Sequence, residues 1–259
     1  MKNELASSDT STDSSSLCAG CCYSLNFLTH QRCVPGDSCV RAHSGRQIDR
    51  FFSNNPDEAE NFVDDLFWER RAIAARYASL ESITNLALDR DEVVRRVVAS
   101  RLPPNELVRL LKDSDRDVRL AAVSRVPENH LLPLIHDPDY LVRATVARRL
   151  PHGKLTKLIH DPDREVRKVV AQRLPAFALH LLVNDTEPEV RARIAERALP
   201  ELADKLLDDP EWWVRLAAVA QASPSALLPL LKDPEPEVRE LVRERLQTLS
   251  ADFPDKEPL

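Results

Sequence analysis

The dipeptide Val-Arg recurs every 24 residues, at Val94, Val118, Val142, Val166, Val190, Val214 and Val238, and no insertion breaks the count. One unit earlier, Arg70-Arg71 keeps the arginine and replaces the valine. Such strict self-similarity means an array of equivalent units, each burying its apolar face against its neighbours. Any fold for this chain must therefore repeat every 24 residues.

Other columns hold the same register. With Val as position 1, position 8 carries Arg101, Arg125, Arg149, Arg173 and Arg197, then Gln221. Position 10 carries Pro103, Pro127, Pro151 and Pro175 before drifting to Leu199 and Ser223. Position 17 is Leu110, Leu134, Leu158, Leu182, Leu206 and Leu230, and position 20 is aspartate from Asp89 to Asp233. Apolar residues at positions 1, 5, 6 and 9, such as Val142, Val146, Ala147 and Leu150, make one helical stripe. Asp at position 20 with proline after it predicts an N-cap followed by N1, and the acidic residues at position 22 fall in the first turn. Proline at position 10 then stops the helix.

Once that helix and two turns are placed, about six to eight residues remain, too few for the second helix of the longer helix-pair repeats. A short 3₁₀-type segment fits them better. No period-2 alternation is present, so no strand is expected. Scarce glycine, 4 residues against 19 prolines, agrees with short punctuated helices rather than a turn-rich β protein.

The cysteines mark a second region. All five lie in one short stretch as Cys18-x2-Cys21-Cys22-x10-Cys33-x5-Cys39. The start, Met1–Ser16, is polar and serine-rich with no apolar signal core, and no run of about 18 apolar residues exists to span a bilayer. The simple expectation is a cytoplasmic protein without membrane contact, where clustered cysteines bind metal rather than pair as disulfides. Cys18, Cys21, Cys33 and Cys39 are the favoured ligands. Adjacent cysteines seldom ligate one centre together, so Cys22 in place of Cys21 is the alternative. Four thiolates suit structural zinc as well as a [4Fe–4S] cluster, and His30 or His43 could replace a thiolate at zinc. Arg32, Arg41, Arg46 and Arg50 make the surroundings mildly basic.

The period, the leucine columns and the phrase Asp161-Pro162-Asp163-Arg164-Glu165-Val166-Arg167 together resemble the leucine-rich repeat variant family. That resemblance implies an all-α, right-handed superhelical solenoid of alternating α- and 3₁₀-helices without strands. Some family members carry an N-terminal iron–sulfur module, and the resemblance tips the metal choice to a [4Fe–4S] cluster on the cysteine set above. The expected layout is a disordered arm over 1–16, a cysteine module with a docking helix over 17–66, the solenoid over 67–249 and a tail over 250–259. Apolar residues from Ile48 to Phe67 (Ile48, Phe51, Phe52, Phe62, Val63, Leu66, Phe67) are expected to seat the module on the first repeats.

Charge narrows the function. The net −6 lies wholly in residues 1–69, with 5 Lys/Arg against 11 Asp/Glu, and residues 70–259 balance at 31 each. A neutral repeat surface points to a protein partner, with the cluster structural or redox-sensing. Arginine columns at positions 2 and 8 leave a nucleic-acid partner as an alternative, and electron transfer through repeats docked on a partner as another. The plain reading of both arginine columns is a structural ladder, and of Trp212-Trp213 packing between units. No Ser-His-Asp arrangement, Gly-rich phosphate loop or H-E-x-x-H motif is present, so catalysis is not expected.

Overall fold

The computed structural model describes residues 18–252; the expected arm over 1–16 and most of the expected tail lie outside that range. Among the described residues every regular element is a helix, and the one β-type pairing is an isolated bridge between Val34 and Ser38. The chain divides into two compact units, Met1–Val126 and Pro127–Leu259. No helix among the described residues is long and apolar enough to cross a membrane.

In the first unit the cysteine loop leads into the helix Gly45–Asn54 and the 3₁₀-helix Pro56–Phe62. Repeat helices follow at Trp68–Tyr77, Glu92–Arg101 and Arg116–Val123. In the second they lie at Tyr140–Arg149, Arg164–Arg173, Pro188–Ala195, Trp212–Val219 and Pro236–Asp252. Between them run short segments, 3₁₀ at Pro104–Leu110, His152–Leu158 and Ala176–Leu182. Repeats of α-helix and short 3₁₀-helix without strands are therefore the observed architecture, as a helical repeat solenoid requires.

Proline sets where several of the repeat helices end. The residue before a position-10 proline is driven from the α-region to extended backbone. Leu102, Leu150 and Leu174 are those residues, with ψ of 148°, 144° and 142°, and each closes its helix. In three units position 10 is Ser79, Leu199 or Ser223, and there the second segment begins as α-helix, at Leu80–Ile83, Pro200–Leu206 and Pro224–Leu227. In the last unit Gln247 stands at position 10 and the helix runs on to Asp252, past the expected limit of the solenoid at 249.

The stripe at positions 1, 5, 6 and 9 is the core. Val142, Val146, Ala147 and Leu150 are wholly buried, as are Val166, Val170, Ala171 and Leu174. Position 14 adds a column that the pattern search passed over: Leu107, Leu131, Leu155 and Leu179 are also wholly buried.

The N-cap assignment is corrected by two residues. Position 22, not position 20, caps the repeat helices: Asp91, Asp115, Asp139 and Asp163 accept backbone N–H bonds from the residues that open them. Position-20 aspartate instead accepts the N–H of position 22 through one carboxylate oxygen, as Asp113 does from Asp115 at 2.9 Å. The reason is a competing partner. Six of the position-2 arginines reach forward 18 residues and grip that aspartate with two parallel bonds, in Arg71–Asp89, Arg95–Asp113, Arg143–Asp161, Arg167–Asp185, Arg191–Asp209 and Arg215–Asp233.

These rungs are bidentate, with N···O of 2.6–3.0 Å, the strong geometry for a guanidinium and a carboxylate. The third nitrogen, Nη1, donates to the carbonyl of the aspartate six residues back, for example Arg167 to Asp161 at 2.7 Å. One side chain thus stitches two successive turns. The hydrogen bond that Arg71 donates to Asp89 raises the Arg71 pKa, and the equivalent bond does the same for each arginine of the other rungs. Burial opposes ionisation of Asp89 and Asp113, but the paired arginines outweigh it and hold both carboxyls below the usual range. Arg215 directly lowers Asp233 in the same way.

Candidate metal centre

Two tight turns position the cysteines. In the first, the Cys21 N–H donates to the Cys18 carbonyl at 3.2 Å, and Gly20 takes φ +69°. That left-handed backbone is open to glycine at little cost and folds Cys21 back beside Cys18. Ser24 Oγ then donates to the Cys21 carbonyl at 2.7 Å. In the second, Pro35-Gly36 make the corner, with Gly36 at φ +84° and the Asp37 N–H reaching the Val34 carbonyl at 3.0 Å. Val34 and Ser38 exchange two backbone bonds of 2.8 Å. Cys33 and Cys39 flank that pair and are held as neighbours by it.

Cys33 and Cys39 are buried, Cys18 and Cys21 half-buried, and Cys22 exposed. Burial first, then the Cys39, Cys21 and Cys18 side chains, push the Cys33 thiol up to about 12. Those three are therefore its electrostatic neighbours, and Cys22 is not among them. An unliganded thiol here resists becoming a thiolate, and a bound cation would supply the missing compensation. His30 and His43 are exposed: His30 Nδ1 lies 2.8 Å from the Asn26 carbonyl, and His43 packs edge-on against Phe67. Among the described residues, no group of three His, Cys, Asp or Glu side chains is placed to hold a single metal ion. The donor chemistry, four cysteine thiols of which Cys33 and Cys39 are buried, is that of iron–sulfur ligands.

An aromatic cluster carries the loop. Tyr23 stacks with Phe62, packs tilted on Phe27 and edge-on against Phe51, and its hydroxyl donates to Glu58 at 2.8 Å. Burial and that bond raise the Tyr23 pKa above its ordinary value. Ile48, Phe51 and Phe52 are wholly buried, whereas Leu66, expected in the same apolar set, is 87% exposed. Helix Gly45–Asn54 packs closely on Trp68–Tyr77: a Cβ on Gly45 would collide with the Glu69 side chain, and Tyr77 donates to Asp49 at 3.1 Å. Module and first repeats meet here, as the apolar pattern implied.

The basic residues have particular tasks. Arg41 donates to the Ala19 carbonyl at 3.0 Å, bracing the Cys18–Cys21 turn, and Arg50 pairs with Asp37 beside the second turn. Arg32 lies over Phe27 and donates to Asn55 Oδ1 at 2.6 Å. Asn55 is wholly buried and returns bonds to the Arg32 and Phe51 carbonyls. Sequence reasoning missed it, because one Asn before Pro56 looks like an ordinary turn residue.

The arginine columns that a nucleic-acid partner would require are engaged largely within the repeats. Besides the position-2 rungs, Arg101, Arg125, Arg173 and Arg197 at position 8 reach back to the C-terminal carbonyls of the preceding helix, as Arg173 does to Ala147 and Leu150 at 2.7 Å each. His136 and His160 line an open cleft of about 300 Å³ beside the Arg143–Asp161 rung. Trp212 keeps 37% of its surface exposed and Trp213 is half-buried.

Comparison with known proteins gives this layout a name. A family model described as "LRV protein FeS4 cluster" matches residues 15–61, and one described as "Leucine rich repeat variant" matches residues 140–163. A solved structure titled "A leucine-rich repeat variant with a novel repetitive protein structural motif" is 50% identical, with a TM-score of 0.86 over 88% of this chain and 98% of its own. An "Uncharacterized 27.7 kDa protein in nifB 3'region" of Rhodobacter capsulatus is 37% identical over 84 residues, which is 32% of this chain and 34% of that protein. The match thus spans about a third of the length of that curated relative. By its repeats and by the cysteine module that precedes them, this chain belongs to the leucine-rich repeat variant family and carries an iron–sulfur module.

Proposed function

We propose that the protein is a non-catalytic binding scaffold for a protein partner, with a [4Fe–4S] cluster on Cys18, Cys21, Cys33 and Cys39 that acts as a structural or redox-sensing element. The observation that supports the ligand set is burial: Cys33 and Cys39 are buried and Cys18 and Cys21 half-buried, while Cys22 lies exposed. Bound there, such a cluster supplies reversible one-electron transfer. The chain's own part is to hold the thiols at two turns, to shield Cys33 and Cys39, and to leave Cys18 and Cys21 near solvent.

Support for a protein partner comes from the repeat surface. Both arginine columns are tied to carboxylates or carbonyls within the array, which leaves few of them for phosphates. The second unit meanwhile exposes Phe177 by 74% and Leu181 by 41% on its segment Ala176–Leu182. Exposed aromatic side chains are the usual anchors of protein interfaces.

Purification without oxygen, with visible spectra and metal analysis, tests the first half. A broad brown absorption with about four iron and four sulfide per chain is expected. Stoichiometric zinc in a colourless protein would overturn it. For the second half, a photo-crosslinking residue at Phe177 should give discrete protein adducts in cells. Nucleic-acid adducts in their place would favour the other reading.

A further inference from the structure

Position 1 of the repeat is valine from Val94 to Val238, and each of those valines is wholly buried. In the first unit the same position is the half-buried Arg70, on the repeat helix Trp68–Tyr77. A guanidinium where the fold elsewhere buries an isopropyl group is costly unless something compensates it. Arg70 takes no aspartate 18 residues on, as Arg71 beside it does. It turns to the cysteine loop instead. Its Nη1 donates to the Val40 carbonyl at 3.3 Å, and Val40 is the residue after Cys39.

The contact serves both partners. Val40 is buried, and no backbone N–H among the described residues reaches its carbonyl, so Arg70 satisfies a buried acceptor. That is the one hydrogen bond of the Arg70 side chain among the described residues. Its Nε is buried and lies 3.0 Å from Asp65 Oδ1, an ion pair outside hydrogen-bond alignment. Asp65 is itself fixed by the Phe67 N–H at 2.7 Å, and the guanidinium lies over the Phe67 ring. Asp65 and Phe67 thus hold a cation with N–H groups to spare beside the Cys39 limb of the loop. Arg41, Arg46 and Arg50 are exposed, so water and salt screen their charges more than that of Arg70.

We propose that Arg70 is the positioning residue by which the first repeat holds the Cys39 limb, and that its charge raises the reduction potential of the cluster bound there. The inference rests on the cluster reading above. Four thiolates give such a group net negative charge and reduction adds one more, so a cation fixed beside a ligand favours the reduced form. The same arrangement accounts for the break in the valine column. Valine would leave the Val40 carbonyl unmatched and bring no charge.

The test uses the full chain, loaded with iron without oxygen, and reads the midpoint potential together with iron release to a chelator. Arg70→Gln keeps an N–H donor for Val40 and removes the charge. The ratio of oxidised to reduced cluster at a fixed potential should rise about tenfold, a downward shift of about 59 mV for one electron. Arg70→Lys keeps the charge and should stay within about twofold of wild type. Arg70→Val returns the column residue and removes both features, so it should release iron faster and shift as Arg70→Gln does. If Arg70→Val holds no iron, the glutamine and lysine variants still decide the role of the charge. A wild-type potential in Arg70→Gln, or equal shifts in Arg70→Gln and Arg70→Lys, would overturn that role with the cluster in place. Iron release at the wild-type rate from Arg70→Val would overturn the positioning role. Zinc without iron in the wild-type protein would overturn the cluster reading and this inference with it.

Discussion

In the repeats the position-2 arginine meets an equivalent aspartate in six units, whereas around the cysteines nearly every polar contact is made once. Arg95, Arg167 and Arg215 each grip an aspartate 18 residues on and a carbonyl six residues back. Arg32, Arg41 and Arg50 share no such rule; one holds Asn55, one the Ala19 carbonyl and one Asp37. Periodic structure spreads its stability over many equivalent interfaces, so each contributes a nearest-neighbour share. The loop has no spare copies, and its buried thiols depend on what binds them. Damage should therefore be absolute in the loop and graded in the repeats.

The largest expected effect is at Cys33. Cys33→Ala should abolish iron retention and loosen residues 18–44, while far-ultraviolet circular dichroism of the repeats persists. Retained iron at wild-type stoichiometry would show that the ligand set is misassigned. Next come the repeats. Leu179, wholly buried at position 14, should cost about 2–5 kcal/mol as Leu179→Ala in equilibrium denaturation. Arg167→Met should cost about 3 kcal/mol, since it leaves the buried Asp185 without its cation, and Arg167→Met with Asp185→Leu should recover much of it.

Acid offers a way to separate the regions. Asp89, Asp113 and Asp233 have lowered pKa values, so their rungs stabilise the fold above the ordinary carboxylate pKa and lose that contribution as pH falls through the lowered values. Thermal stability of the repeats should be level from neutral pH to about 4 and then fall. A decline already complete at pH 5 would mean the carboxylates are not what holds the turns. Smaller still, Gly36→Ala should cost about 1 kcal/mol through its left-handed φ, with iron content as the readout of the second turn. The smallest effect is expected for Cys22→Ser, which should keep full iron content because Cys22 lies exposed outside the group around Cys33.

Much of this was legible in the chain. The helical stripe, the proline stops and the short second segment follow from local chemistry repeated at one interval, which averages away the ambiguity of any single window. The misread cap shows the limit. Asp at position 20 before proline has the composition of an N-cap, and only the arginine 18 residues earlier in sequence draws its carboxylate aside, leaving position 22 to cap. Leu66 shows it again, because an apolar residue beside Phe62 and Phe67 lies in the right pattern but on the solvent side.

By itself the sequence determined the period, the proline stops and the clustering of the cysteines, since these depend on residue type and spacing along the chain. Tertiary structure decided which carboxylate caps and which pairs, that Asn55 is a buried anchor, and that Cys22 stands apart from the other four cysteines. Those outcomes turn on burial and on partners far away in sequence, where a side chain's energy is set by what surrounds it in space.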